Sequence, residues 1–257
     1  MTRAAQASFS TGSGSHLPLV VHGAGRMARR VLAQLPEFEH YELVGLVSRS
    51  RPEDLHTADW FASLDSFEGS VDLLIDFTLP GGTLKAAQWC ACNNVALLSG
   101  TTGLGDEDIN ALKVAALHVP VLWAPNLSFG VALVSSLVRQ AAATLGVSAR
   151  ATINDIHHQH KIDAPSGTAL ALGAAVMEGR SESRVQSLSD DPVYSSVREG
   201  EVIGEHTVSF VLPDEEIEIT HRALSREVFA KGALKAGEWL VQQVPGYYST
   251  SDWLALH

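Results

Sequence analysis

Leu17-Pro18-Leu19-Val20-Val21-His22-Gly23-Ala24-Gly25-Arg26-Met27-Ala28 is the stretch on which the fold turns. Residues 17–22 are short and apolar and read as a buried strand. The segment after Gly25 reads as a helix running to about Leu35. Between them Gly23 to Ala28 fit the pattern Gly-x-Gly-x-x-Ala. The first glycine permits a tight turn, the second lets a pyrophosphate reach the backbone, and the small third residue lets helix and strand pack. Phosphates would then sit at a helix N-terminus, where free N–H groups favour anions. A purely structural glycine turn is the alternative, and the surroundings weigh against it. Strands expected at 42–47, 71–77, 95–98 and 121–124 alternate with helices at 84–92 and 106–118, the order of a doubly wound parallel α/β sheet.

After Asn126 the pattern changes. A long helix (131–145) precedes strands at 151–157, 206–212 and 216–221, with a helix at 168–177 and a polar surface loop at 179–191. This predicts a second, α+β domain. The expected division is a tail over 1–16, a dinucleotide-binding domain over 17–126, a second domain over 127–226, and a last helix (226–243) within a segment, 227–257, that returns to the first domain. The tail, rich in Ser, Gly and Thr, lacks the apolar centre of a secretory signal.

Bulk composition narrows the partners. The chain has 257 residues, 46% hydrophobic and 18% charged, as in an ordinary globular enzyme. A net charge of −11 argues against nucleic acid, which needs a basic footprint. The apolar runs look too short to span a bilayer, so no membrane is expected. Cys90 and Cys92 read as two core thiols of a reducing compartment, consistent with the cytoplasm.

The second strand of the first domain ends Val47-Ser48-Arg49-Ser50-Arg51. The acid that would bind ribose hydroxyls is missing there. Serine with arginine suits a ribose 2′-phosphate and tilts the cofactor toward NADPH over NADH. Solvated loop charges are the plainer reading of Arg49 and Arg51. Gly100-Thr101-Thr102-Gly103 and Ala124-Pro125-Asn126-Leu127 each follow a strand's C-terminal end, the edge where such sheets bind ligands.

The densest chemistry lies in Asp155-Ile156-His157-His158-Gln159-His160-Lys161-Ile162-Asp163-Ala164-Pro165-Ser166-Gly167-Thr168. On a strand His157 and His158 face opposite sides. Ser166 reads as a helix N-cap, with Gly167 and Thr168 offering first-turn amides to a carboxylate and Lys161 a counter-charge. Three readings stay open at this point. The histidines could move protons near neutral pH, with Lys161 assisting. They could bind a metal, although no standard zinc spacing is present. Or they could serve only as hydrogen-bonding residues of a strand and turn.

The run from His157 to Ala169 resembles the signature of the dihydrodipicolinate reductase family. Ile75-Asp76-Phe77-Thr78, the Gly100–Gly103 turn, Asn126-Leu127-Ser128-Phe129-Gly130, Arg198 to His206, and Glu218 to Ala223 with Arg226 and Phe229 to Ala233 are similar to family segments in the same order. The similarity covers about residues 18–239. It implies an N-terminal Rossmann domain hinged to a substrate-binding and oligomerisation domain, over 127–226 here, that builds a homotetramer. It also implies reduction of a small cyclic dicarboxylate imine by NADH or NADPH, yielding tetrahydrodipicolinate in the diaminopimelate route to lysine. By that resemblance His157 is the acid/base, Lys161 the proton-donating or polarising group, and His158, Gly167 and Thr168 bind substrate. The cofactor is held by Gly23, Ala24, Gly25, Arg26, Met27, Ser48, Arg49, Gly100, Thr101, Thr102, Ala124, Pro125, Asn126 and Leu127, with no metal. Three departures stand out: the glycine loop is one residue shorter than usual, Ser48 replaces the common ribose-binding acid, and Leu127 stands where many members have Phe or Met.

Overall fold

The computed structural model describes residues 16–53, 59–183 and 191–255. The tail expected over 1–16 therefore lies, His16 apart, outside the described residues. In chain order the elements of the first half are β1 (Leu17–His22), α1 (Arg26–Gln34), β2 (Tyr41–Val47), β3 (Trp60–Phe61), β4 (Leu73–Asp76), α2 (Gly82–Asn93), β5 (Ala96–Ser99), α3 (Asp106–Ala115) and β6 (Pro120–Trp123). The second half adds α4 (Phe129–Leu145), β7 (Arg150–His157), α5 (Gly167–Glu182), β8 (Val193–Arg198), β9 (Glu205–Val211), β10 (Glu216–Arg222), α6 (Glu227–Leu240), β11 (Gly246–Tyr248) and α7 (Thr250–Leu254).

The chain forms two compact units, Met1–Ala124 with Ala233–Ser249, and Pro125–Gly232 with Thr250–His257. The first holds a seven-stranded sheet in the order β3-β2-β1-β4-β5-β6-β11, every pairing parallel. The strand order reverses beside β1, between β1 and β4, the switch point where such sheets bind ligands. Its inner strands are mainly apolar, as expected of a parallel sheet covered by helices, and turn polar at their C-terminal ends in His22, Asp76 and Ser99. Val20, Leu74, Leu97 and Val121 pack with Ala86, Cys90 and Leu112 of α2 and α3. Tyr41 ties α6 to the sheet by donating its hydroxyl hydrogen to the Leu234 carbonyl at 2.7 Å.

The second unit holds a mixed four-stranded sheet in the order β10-β9-β7-β8. β7 and β8 are parallel, joined by α5 as their crossover, and β9 and β10 run antiparallel. Ile153, Val208 and Phe210 pack beneath Val134 and Val138 of α4 and Leu172 and Val176 of α5.

Several expectations change. The loop expected at 179–191 begins later, because α5 continues to Glu182; residues 184–190 of it lie outside the described residues. Arg180 keeps that last turn in place, buried and donating to the Ala149 carbonyl at 2.7 Å. Cys90 is buried but Cys92 is exposed, so only one thiol belongs to the core. The stretch Phe129–Ser148, mean hydropathy 1.4, is long and apolar enough by length and composition to cross a bilayer. Ser135, Ser136, Arg139 and Gln140 interrupt it, so the apolar runs within it are short. Here its buried positions Val134, Val138 and Ala142 serve a core instead.

Candidate active site

In the first unit, the ends of neighbouring parallel strands converge on one buried carboxylate. Asp76, the last residue of β4, is fully buried and accepts hydrogen bonds from Thr78 (2.7 Å), Thr83 (2.7 Å), Ser99 (2.8 Å) and Thr101 (3.0 Å), with His22 Nδ1 at 3.2 Å. Burial pushes its carboxyl up, but the bonds from His22, Thr83 and Thr78 outweigh that and hold it below the usual range. The turns after β1, β4 and β5 are thereby tied together. Gly23 sits at φ +111°, where a Cβ would meet the Phe77 carbonyl oxygen at 2.5 Å, so the tight turn there requires glycine. Arg29 Nε donates to the Ala24 carbonyl at 3.0 Å and braces the glycine loop. Gly25 caps α1, and a Cβ there would meet nothing within 4 Å, which leaves room over the helix N-terminus. Arg26 and Arg49 are exposed, Met27 is half-buried, and Thr101 is buried. Ser48 donates its hydroxyl hydrogen to the Ser50 carbonyl (2.8 Å) and accepts one from Trp60 Nε1 (3.1 Å).

The second unit gathers its chemistry at the C-terminal end of β7. Alternation along that strand puts Ala151, Ile153, Asp155 and His157 on the buried face. The first two join the core, and the last two turn it into a polar site. Pairing then decides the company. Register places Ser196 of β8 and His206 of β9 on either side of Asp155. His157 Nδ1 lies 2.9 Å and His206 Nε2 3.4 Å from Asp155 Oδ1. Oδ2 accepts from the Ser166 amide (2.9 Å), Arg198 (3.0 Å) and Ser196 (3.3 Å). Burial raises the Asp155 carboxyl, but hydrogen bonds from Ser166 and Arg198 and the charge of His157 win and keep it low.

Ser166 caps α5 by accepting from the Ala169 amide at 3.1 Å, as its position before Gly167 and Thr168 suggests. Asn126 Nδ2 donates to Thr168 Oγ1 at 2.9 Å, so Asn126 braces Thr168. Lys161 holds both oxygens of the exposed Asp163 at 2.8 Å. His157 is buried while His158 is half-buried and His160 exposed, so the three do not converge as a ligand set. The ring nearest His157 is that of His206, 5.0 Å away, with His221 6.4 Å beyond His206, while His158 and His160 lie 6.2 Å from each other. Sequence reasoning gave no role to His206, Arg198 or Asp155. Only the period-two spacing of Asp155 and His157 could have signalled the last. Single ligand atoms of Asp155, His157 and His206 lie within 4.8 Å of one another, a spacing a metal could use. Arg198 already neutralises Asp155, however, and a cation there would be opposed by that guanidinium.

Burial pushes His157 down, Asp155 pulls it back up, and Lys161 and Arg198 push it down again. Burial and the nearby His157 take His206 further, from 6.5 to about 4. Its ring is therefore neutral in the folded protein where the unfolded chain would already be protonated. Stability contributed this way is present above pH 6.5 and drains as pH falls toward 4, by about 3 kcal/mol in full at ~1.4 kcal/mol per pH unit. Melting curves should fall more steeply over that interval for the native chain than for His206→Gln; parallel curves would mean that His206 is not buried as a neutral ring.

Comparison with known proteins gives this arrangement its relatives. The family model for the N-terminus of dihydrodipicolinate reductase matches residues 17–127, and that for its C-terminus matches 130–254. The 4-hydroxy-tetrahydrodipicolinate reductase of Alkalilimnicola ehrlichii is 39% identical, over 92% of this chain and 98% of the relative. That of Methanopyrus kandleri is 40% identical over 91% and 95%. A dipicolinate-bound dihydrodipicolinate reductase from Paenisporosarcina shares the fold with a TM-score of 0.75 at 22% identity, covering 91% of this chain and 97% of that one. With both models matched across nearly the whole described chain, and a buried acid–histidine pair beside a capped helix N-terminus at its centre, this chain belongs to the dihydrodipicolinate reductase family.

Proposed function

We propose that the chain reduces an unsaturated cyclic dicarboxylate imine, the product of water loss from the 4-hydroxy-tetrahydrodipicolinate named for its relatives, to tetrahydrodipicolinate on the diaminopimelate route to lysine. The observation that carries this reading is the buried Asp155–His157 pair beside the α5 N-terminus and Lys161. The first unit suits a nicotinamide cofactor, with open space at Gly25 over a helix N-terminus and a turn at Gly23 that excludes a side chain. Gly23, Ala24, Gly25, Arg26 and Met27 would hold the pyrophosphate. Ser48 and Arg49 would hold the ribose, and Gly100, Thr101, Thr102, Ala124, Pro125, Asn126 and Leu127 the nicotinamide side. Bound NADPH or NADH supplies the hydride.

His157 supplies the proton that completes the reduction. Gly167 and Thr168 offer their amides, and Thr168 its hydroxyl hydrogen, to one substrate carboxylate at a helix N-terminus, where anions are favoured. Lys161 exchanges Asp163 for a substrate carboxylate, and His158 lies three residues away on the same turn. Val193, Val197 and Ile217, exposed on β8 and β10, are apolar positions that a homotetramer would cover.

The test is a coupled assay with the product of dihydrodipicolinate synthase, following loss of nicotinamide absorbance. In it Thr168→Val should raise KM about tenfold with kcat nearly unchanged, the worth of a lost hydrogen bond. Lys161→Ala should raise KM and lower kcat together. If both variants bind pyridine-2,6-dicarboxylate as the native chain does, the carboxylate pocket lies elsewhere.

A further inference from the structure

The proton-donor reading of His157 leaves a question of which ring nitrogen acts and what holds it ready. Asp155 Oδ2 is fully engaged by the Ser166 amide, Arg198 and Ser196. Two of these donors, Ser196 and Arg198, come from the one strand β8 and the third from the α5 N-cap, and together they fix the carboxylate plane. Arg198 also donates to the Asp163 carbonyl at 2.5 Å, which ties the Lys161–Asp163 turn to the same clamp. Oδ1 is left facing two imidazoles, His157 Nδ1 at 2.9 Å and His206 Nε2 at 3.4 Å. The His157 contact is short but off the line of the ring N–H, so its pull is mainly electrostatic. A lone pair on Nδ1 would face the carboxylate's own lone pairs, so the single proton of the neutral ring belongs on Nδ1.

The other nitrogen has its own provision. A Cβ at Gly204 would lie 3.0 Å from His157 Nε2 and 3.4 Å from its Cδ2. Gly204 is buried just before β9, with its carbonyl held by the Ala223 amide, so the backbone cannot easily retreat. A side chain there would crowd the ring at the nitrogen that must meet substrate. His206 is a poor substitute donor, since it is neutral well below neutral pH.

We propose that Asp155, clamped by Arg198 and the Ser166 amide, is the positioning residue of the reaction, holding His157 with its resting proton on Nδ1 so that Nε2, kept clear by Gly204, exchanges the proton with substrate. This rests on His157 being the proton donor. The charged and titratable groups facing His157 are Asp155, Lys161, Asp163, Arg198 and His206. Asp155 is the nearest acid. Its removal therefore shifts the ring's titration to lower pH.

The experiment combines nitrogen NMR of 15N-histidine-labelled free enzyme with kinetics of Asp155→Asn, Asp155→Glu and Gly204→Ala. Assignment uses the signal missing in His157→Gln. The native enzyme at pH 8 should show His157 protonated at Nδ1 and bare at Nε2. Asp155→Asn should mix the two tautomers, lower kcat about 10–100-fold, the usual worth of an orienting partner, change KM by less than about threefold, and move the alkaline limb of the kcat/KM profile, where the donor loses its proton, to lower pH. Asp155→Glu should restore at least about tenfold of that kcat. Gly204→Ala should lower kcat with the Nδ1–H tautomer retained. A native His157 protonated at Nε2 overturns the proposal, whether or not the variants fold, as does an Asp155→Asn enzyme within about twofold of native kcat. If His157→Gln itself keeps full activity while the native ring shows Nδ1–H, the proton-donor reading has failed and the positioning role falls with it.

Discussion

Replacing His157 with Gln is expected to lower kcat about 10²–10⁴-fold, the usual worth of a placed general acid. Glutamine can still donate to Asp155 Oδ1, so the buried carboxylate that lies 2.9 Å from Nδ1 keeps a partner and the fold should survive. What glutamine lacks is a group that can hold and release a proton near neutral pH. KM should change little, because the substrate carboxylates are assigned to Lys161, Gly167 and Thr168. Burial lowers the affinity of His157 for protons, and Lys161 and Arg198 add to this. The protonated ring is therefore a stronger acid than free histidine, and the loss of rate in the variant should be greatest on the acid side of the profile. A change in kcat below about threefold would move the donor elsewhere, and unchanged circular dichroism would exclude unfolding as the cause of a large one.

The second large effect concerns the cofactor. NADPH is expected to bind about 10–150-fold tighter than NADH, which corresponds to roughly 1.5–3 kcal/mol for a charge-assisted arginine–phosphate contact. No carboxylate stands at the end of β2 to chelate ribose hydroxyls or repel a 2′-phosphate. Within Ser48-Arg49 the work falls on the arginine. The Ser48 hydroxyl already donates to the Ser50 carbonyl and accepts from Trp60, which also donates to the Ser48 carbonyl at 3.2 Å. Arg49 is exposed beside it. Arg49→Ala should therefore weaken NADPH alone. Ser48→Glu should weaken NADPH and help NADH. Calorimetric titration of the free enzyme with each cofactor decides the matter: equal affinities, or tighter NADH, would mean that the main chain of the glycine loop dominates binding.

What the sequence alone determined about this protein is what neighbouring residues decide among themselves. β1 runs from Leu17 to His22 as its apolar run indicates, and the glycine loop follows because Gly23 must take a positive φ that other residues avoid. Ser166 caps α5 because its hydroxyl satisfies an amide three residues on. The placement of Asp155 and His157 on one face follows from strand alternation, and the family signature from contiguous residues. Tertiary structure alone decided the partners of those residues. Residues 193–198 carry too little apolar alternation to announce a strand, yet they pair in parallel with β7 once α5 supplies the crossover. That pairing delivers Ser196 and Arg198 to Asp155, and the antiparallel register of β9 delivers His206 from far along the chain. Asn126 likewise meets Thr168, and Asp76 collects Thr83, Ser99 and Thr101. The physical reason is common to all of them. Propensity and capping act over a turn or a strand, whereas register is set by which faces must be buried together, and that is a property of the folded sheet rather than of any local stretch of sequence.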